Sequence, residues 1–70
     1  MNKDMSDGVW KEFKGKMRES WGKLTDDELE QSRGNLEQIS GKVQKQYGLK
    51  KDEVNKRFNS FLEDINSRMS

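Results

Sequence analysis

The chain has 70 residues, of which 39% are charged, and its 14 Lys and Arg nearly balance its 13 Asp and Glu. A chain of this length can bury one small core, and without Cys or His it lacks the residues that form disulfides, most zinc sites and most general bases. The net charge of +1 does not mark a nucleic-acid or membrane binder by bulk electrostatics. We therefore expect no cofactor, no metal and no enzymatic activity.

The first predicted helix opens near Gly8 and stops near Gly22. Its apolar residues are spaced so that they fall on one face of a helix. They are Trp10, Phe13, Met17, Trp21 and Leu24. Gly22 follows the last aromatic residue of this face, where helices commonly end in a left-handed residue that Gly accommodates without strain. We therefore predict a left-handed cap at Gly22.

A second helix is predicted to begin at about residue 26, because TDDE at 25–28 has the pattern of a capping box, in which the Thr25 hydroxyl accepts from the Glu28 amide. Leu29 lies one heptad before Leu36, so residues 26–47 are compatible with one long helix. The SRGN stretch at 32–35 argues for a break instead, because Ser, Gly and Asn cluster where helices are interrupted. We favour the break, and with it four helices over three.

The third and fourth predicted helices repeat this pattern. The third carries its apolar residues at Leu36, Ile39, Val43 and Tyr47 and stops at Gly48, a second predicted left-handed cap. The fourth begins at Lys50 or Lys51, both weak N-caps, and reaches to about Asn66. Its apolar face is formed by Val54, Phe58, Phe61, Leu62 and Ile65.

The two halves of the chain resemble each other. One common shift places Gly8, Gly15 and Gly22 on Gly34, Gly41 and Gly48, and it also superimposes the apolar faces of the first and third helices. We interpret residues 1–70 as a single domain with repeat 1 at about 8–33 and repeat 2 at about 34–67. The predicted fold class is all-α: a small four-helix domain made of two repeated αα-hairpins, or three helices if the middle two are continuous.

Four lysines are candidate contacts for nucleic acid: Lys14, Lys16 and Lys42, which lie beside Gly15 and Gly41, and Lys45. Together with nearby turn amides they have the chemistry to contact phosphates as helix-hairpin-helix modules do. The competing interpretation is a solvated face of mixed charge, which the near-zero net charge favours. The carboxylates at 26–28 are explained by capping rather than by a metal. Trp10 and Trp21 lie on the apolar face and are predicted core residues.

Several stretches in combination are specific enough to compare with known families: MNKD at 1–4, WKEFKGK at 10–16, WGKLTDDEL at 21–29, GK at 41–42 and QKQYGLKKDEV at 44–54. Together they resemble the CsbD-like family of small bacterial stress-response proteins, in particular its YjbJ branch. The resemblance covers about residues 1–62. It implies a small all-α fold of two hairpins, a cytosolic location and an abundance that rises under general stress. It implies no catalytic residue.

The expected function is that of a non-enzymatic bacterial general stress-response protein. The N-terminal residues contain no apolar run of the length that a signal peptide or membrane span requires, so we expect a cytoplasmic location. We also expect a monomer and no binding to membranes. The alternative is a nucleic-acid-binding module of helix-hairpin-helix type that uses Lys-rich turns. A third hypothesis is association with a protein partner or a second copy through an exposed face bearing Phe58, Phe61 and Leu62.

Overall fold

A computed structural model describes residues 5–69. Within that range the chain forms helices and turns, without a strand. The helices are α1 (Asp7–Ser20), α2 (Asp26–Gln31), α3 (Leu36–Tyr47) and α4 (Lys51–Met69). The all-α prediction is confirmed, and so is the break before α3. The alternative of one helix over 26–47 is wrong, because the chain turns through residues 32–35 with Gly34 at a φ of 88°.

The core lies between α1, α3 and α4, with α2 packed against α1. Phe13 is at its centre, where its ring meets the rings of Phe58 at 5.5 Å and Phe61 at 6.1 Å in edge-to-face geometry. Such aromatic pairs add to the stabilisation that burial alone supplies. Most of the predicted apolar positions are buried, while Tyr47 and Leu62 are only partly buried, as are two further apolar residues, Val9 and Leu49. Because Phe58 and Phe61 are buried, the hypothesis of an exposed face that carries both rings is wrong.

Two of the helices begin with reciprocal or partial capping boxes. At α2, the Glu28 amide donates to Thr25 Oγ1 at 3.2 Å and the Thr25 hydroxyl donates to Glu28 Oε1 at 3.0 Å, which confirms the predicted box. At α4, the Lys50 amide donates to Glu53 Oε1 at 2.9 Å. The Lys50 side chain has no oxygen that could accept from the Glu53 amide. Only one of the two hydrogen bonds of a capping box is therefore formed, the one from the Lys50 amide to the Glu53 carboxylate.

The two repeated turns end their helices differently. Gly48 has a φ of 65° and caps α3 in the left-handed conformation, as predicted. The equivalent prediction for Gly22 is wrong, because α1 already ends at Ser20 and the cap is Trp21, with a φ of −129°. The extended backbone at Trp21 leads the chain on to Thr25 and leaves the indole 4% exposed, edge-on to the core phenyl rings. At the first turn the helix therefore ends at a buried Trp21 and not at a left-handed glycine.

The last helix is longer than predicted. It continues to Met69 instead of stopping near Asn66. Ile65 is fully buried and carries the apolar face into this last stretch. Arg68 then pairs with Glu12 of α1 at 3.5 Å and with Asp64 one turn earlier at 3.7 Å. An i,i+4 ion pair and a cation near a helix C-terminus both favour continued helix.

Candidate functional site

Ion pairs connect α2 to α1. Lys14 Nζ lies 2.8 Å from Asp26 Oδ1 and 2.7 Å from Glu30 Oε2. The same Glu30 oxygen accepts the indole N–H of Trp10 at 2.7 Å. A buried indole N–H requires a partner, so Glu30 both neutralises Lys14 and satisfies Trp10. This interaction joins positions 20 residues apart in the chain.

A second contact fastens α2 to α3. Lys42 Nζ lies 3.2 Å from Glu28 Oε2, while the other oxygen of that carboxylate completes the capping box. Leu29 is the one buried apolar residue within α2. Arg18 Nη1 of α1 also lies 3.7 Å from Asp26 Oδ1. We call α2 and the side chains that hold it in place the ion-paired strap: Trp10, Lys14, Arg18, Asp26, Glu28, Leu29, Glu30 and Lys42. Because its pairs are partly exposed to solvent, each contributes little by itself and is screened by salt.

The strap changes the proton affinity of its members. Hydrogen bonds to Asp26 and Glu30 raise the pKa of Lys14, and the Lys14 ammonium in turn lowers the pKa of both carboxyl groups. The pKa of Glu28 is lowered chiefly by its hydrogen bond from Lys42. All of these groups are therefore held in their charged forms around neutral pH, as an ion-paired arrangement requires.

The four lysines predicted to contact nucleic acid are not gathered into one free surface. Lys14 and Lys42 both reach α2, where carboxylates neutralise them. Lys16 forms an ion pair with Asp64 of α4, whose pKa the Lys16 hydrogen bond lowers. Lys45 is exposed and has no ion pair to a residue in the range 5–69. A phosphate would have to displace a carboxylate from three of the four, and nucleic-acid contact by these lysines stays a prediction.

The acidic run at the start of α2 does not converge on one point. Asp26 turns to Lys14 of α1, Glu28 turns to Lys42 of α3, and Asp27 is exposed. In the described part of the chain, no group of three or more His, Cys, Asp or Glu side chains is arranged to hold a metal ion. Capping and ion pairing account for these carboxylates.

A different kind of surface lies between α3 and α4, which we call the α3–α4 groove. It has a volume of about 540 Å³ and is lined by Leu36, Glu37, Ser40 and Gln44 of α3 and by Lys51, Asn55, Phe58 and Asn59 of α4. Leu36 and Phe58 are buried and supply an apolar base. The remaining lining is polar. A cleft of this size, with an apolar base and a few polar groups, has the general character of a ligand site.

The polar groups of the groove are mostly unpaired. Ser40 is 3% exposed, and its hydroxyl accepts from Gln44 Nε2 at 3.1 Å. The remaining four, Glu37, Lys51, Asn55 and Asn59, make no side-chain hydrogen bond or ion pair to another described residue. Sequence reasoning missed this groove, although polar residues at i,i+4 on both helices were visible: Ser40 with Gln44, and Asn55 with Asn59. The groove offers hydrogen bonds and two opposite charges, and no nucleophile paired with a base.

Comparison with known proteins places the chain in a family. The CsbD-like family model matches residues 4–56. The chain belongs to the CsbD-like family. It is 54% identical over 56 residues to the UPF0337 protein YjbJ of Salmonella typhimurium, a match that covers 80% of each chain. It is 52% identical over 56 residues to YjbJ of Escherichia coli K12, covering 80% of this chain and 81% of that one.

A third relative extends the match along the whole CsbD-like chain. The UPF0337 protein Bd3330 of Bdellovibrio bacteriovorus is 43% identical over 70 residues, which is 100% of this chain and 75% of the relative. No solved structure matches. The family is one of stress-response proteins of uncharacterised function, and the names of these relatives state no enzymatic activity. None of the described helices combines the length and the apolar character needed to cross a bilayer.

Proposed function

We propose that this protein is a non-enzymatic stress-response protein of the cytoplasm that acts by contacting other proteins through its α3–α4 hairpin. The observation that carries the proposal is the unequal pairing of its polar groups. The strap commits its charges to one another. The α3–α4 groove leaves most of its polar side chains without a partner in the described chain. Free groups can bind a partner without first breaking an internal contact.

Composition supports the same role. The chain is 39% charged and has only a small core, so it stays solvated under conditions in which larger apolar proteins unfold. The absence of His and Cys removes the usual general base and the usual thiol nucleophile. Ser40, the buried hydroxyl of the groove, accepts a hydrogen bond from the Gln44 carboxamide, which is not a base at physiological pH. Contact with partners fits these residues better than catalysis does.

The proposal is tested in cells that lack the gene. We expect poorer survival than wild type under at least one of salt, acid or desiccation stress, with recovery when the gene is restored. Survival equal to wild type under all three would overturn the stress-response role. We also expect the protein to act as a monomer, so its mass in sedimentation should not change with concentration.

The contact surface is tested by photo-crosslinking. A photoreactive residue replaces exposed Glu37 in the groove or, as the matched control, exposed Glu19 on α1. We expect protein adducts that increase under stress from the groove position and not from the control. Equal adducts from both positions would contradict contact through the α3–α4 hairpin, even if the deletion strain is sensitive to stress.

A further inference from the structure

We propose that the α3–α4 groove binds an extended peptide segment through its main chain, of the kind that an unfolding protein exposes. This inference rests on the proposed function in one respect, that the partner is a protein. It adds the chemical class of the ligand and the residues that hold it. The residues are the carboxamides of Asn55 and Asn59, with Gln44 on the facing helix.

The spacing of the carboxamides matches an extended chain. Asn55 and Asn59 are one helical turn apart, so they are displaced by about 6 Å along α4. An extended strand places alternate peptide groups on the same side about 6.6 to 6.8 Å apart. Ser40 and Gln44 repeat the i,i+4 spacing on α3. The α4 wall therefore offers two free carboxamides at nearly the interval of an extended main chain, whereas on α3 the Ser40 hydroxyl is already bonded to Gln44.

The chemistry of the carboxamides matches as well. Each carries one acceptor oxygen and an NH₂ donor, so one carboxamide can accept from the N–H and donate to the C=O of the same peptide residue. Asn55 is half-buried and Asn59 is exposed, and neither is hydrogen-bonded to a described side chain. Binding would therefore break no internal bond of theirs. Recognition of this kind reads the main chain and carries little sequence information.

The base and the ends of the groove define the rest of the ligand. Leu36 and Phe58 offer an apolar contact for a side chain that points inward. The short connection between α3 and α4 makes them antiparallel neighbours, which places Lys51 beside Gln44 at one end and Glu37 beside Asn59 at the other. From Lys51 to Asn59 the groove spans about 12 Å, which accommodates roughly four extended residues.

The balance of charge argues against other ligands. Lys51 and Glu37 are opposite in sign, so the groove has no net charge that favours a nucleic-acid phosphate chain or a polycation. A small zwitterion could reach one end of the groove but could not engage both asparagines and both charges at once. A neutral, repeating, extended ligand uses all of these groups.

The test is a titration of the ¹⁵N-labelled full chain, followed by NMR. The probe is a short, acetylated and amidated peptide of alternating Val and Ser, flanked by one Lys and one Glu. We expect the side-chain NH₂ signals of Gln44, Asn55 and Asn59 to shift on binding. The control peptide has the same side chains but is N-methylated at alternate residues, which removes main-chain donors. We expect it to bind at least about tenfold more weakly, because each lost hydrogen bond leaves a groove acceptor unpaired.

Variants locate the site on the chain. Asn55→Ala with Asn59→Ala removes both carboxamides, and Asn66→Ala removes an exposed one on α4 that does not line the groove. We expect the double variant to lose binding while Asn66→Ala keeps it, with far-UV circular dichroism unchanged in both.

Four results would overturn the inference: no shift at millimolar peptide, equal binding of the N-methylated peptide, shifts confined to residues outside the groove, or the same shifts with free glycine. Loss of stress protection in the deletion strain without peptide binding would leave the proposed function standing and reject this ligand alone.

Discussion

The two hairpins start from similar turns and become unequal structures. WGKLTDDEL at 21–29 leads into α2, which has 6 residues, whereas YGLKKDEV at 47–54 leads into α4, which has 19. The difference follows from the apolar residues beyond the turn. Within α2 only Leu29 is buried, while residues 51–68 of α4 include four buried apolar residues: Val54, Phe58, Phe61 and Ile65. Similar turn sequences therefore specify where a helix begins, and the buried face that follows decides how far it extends.

The aromatic residue at the end of the first helix of each hairpin shows the same inequality. Trp21 is buried against Phe58 and Phe61. Its counterpart Tyr47 is half-buried, and its hydroxyl accepts the amide of Lys23 at 2.9 Å. The Trp21 ring is thus part of the core, whereas the Tyr47 hydroxyl forms a hydrogen bond between the two turns. We expect the first hairpin to depend on polar contacts at α2 and the second to depend on burial.

The largest expected effect comes from α4. Phe58→Ala removes a ring that is 1% exposed and meets both Phe13 and Trp21, so we expect a loss of about 3 to 5 kcal/mol in the free energy of unfolding. That is a large part of the stability of any small domain. Urea unfolding measures it, with exposed Lys56→Ala as the control. A loss no greater than that of the control would contradict the dominant role of α4.

A smaller effect is expected when α2 loses its one apolar anchor. Leu29→Ala should cost about 2 to 3 kcal/mol, and we expect the loss to be local, because α1, α3 and α4 keep their mutual packing. Amide chemical shifts of residues 26–31 should move toward random-coil values while those of residues 54–65 stay in place. Leu29→Met is the volume-conserving control. Collapse of both ranges together would show that α2 is not a separate unit.

The glycine caps offer a matched pair of variants. Gly48 has a φ of 65°, and an added Cβ there is strained by about 1 to 2 kcal/mol. Gly22 is not left-handed, and nothing lies within 4 Å of the position its Cβ would take. We therefore expect Gly48→Ala to lower the thermal midpoint clearly and Gly22→Ala to leave it nearly unchanged. Equal losses would mean that the two turns have the same backbone.

Low pH should break the ion pairs of the strap. The pKa values of Asp26, Glu28 and Glu30 are lowered in the folded protein, so their stabilisation is present above their unfolded pKa values of about 4 and is lost as the pH falls through the folded ones. We expect Lys14→Met to shift the pKa values of Asp26 and Glu30 back upward, as followed by NMR titration of the carboxyl carbons. Unchanged titration curves would contradict the ion pairs.

Much of the fold could be predicted from the sequence because its signals are local. Helical spacing of apolar residues identifies the core faces, and the Thr25 capping box and the Gly48 cap mark helix ends within a few residues of chain. The predicted left-handed cap at Gly22 is wrong because Trp21 packs against Phe58 and Phe61, which are distant in sequence. The end of α4 was also missed, since Arg68 reaches Glu12 of another helix.

The candidate site was less predictable, because it depends on how helices pack. The lysine pattern gave no indication that Lys14 and Lys42 would meet the same short helix. The bond from Trp10 to Glu30 spans two helices and has no sequence signal. The α3–α4 groove arises only when Asn55 and Asn59 face α3 across the apolar base. The sequence indicates the spacing of residues along each helix, but it does not indicate which side chains of different helices contact each other.

Hydrogen exchange at low and high NaCl tests the inequality of the hairpins most directly. At about 1 M salt the screening length falls to about 3 Å, which weakens the exposed pairs of the strap while burial in α4 is retained. We predict that amides of Leu29, Glu30 and Gln31 exchange several-fold faster in high salt, while those of residues 54–65 do not. Exchange in both segments that is unaffected by salt, or that accelerates by the same factor, would contradict the account.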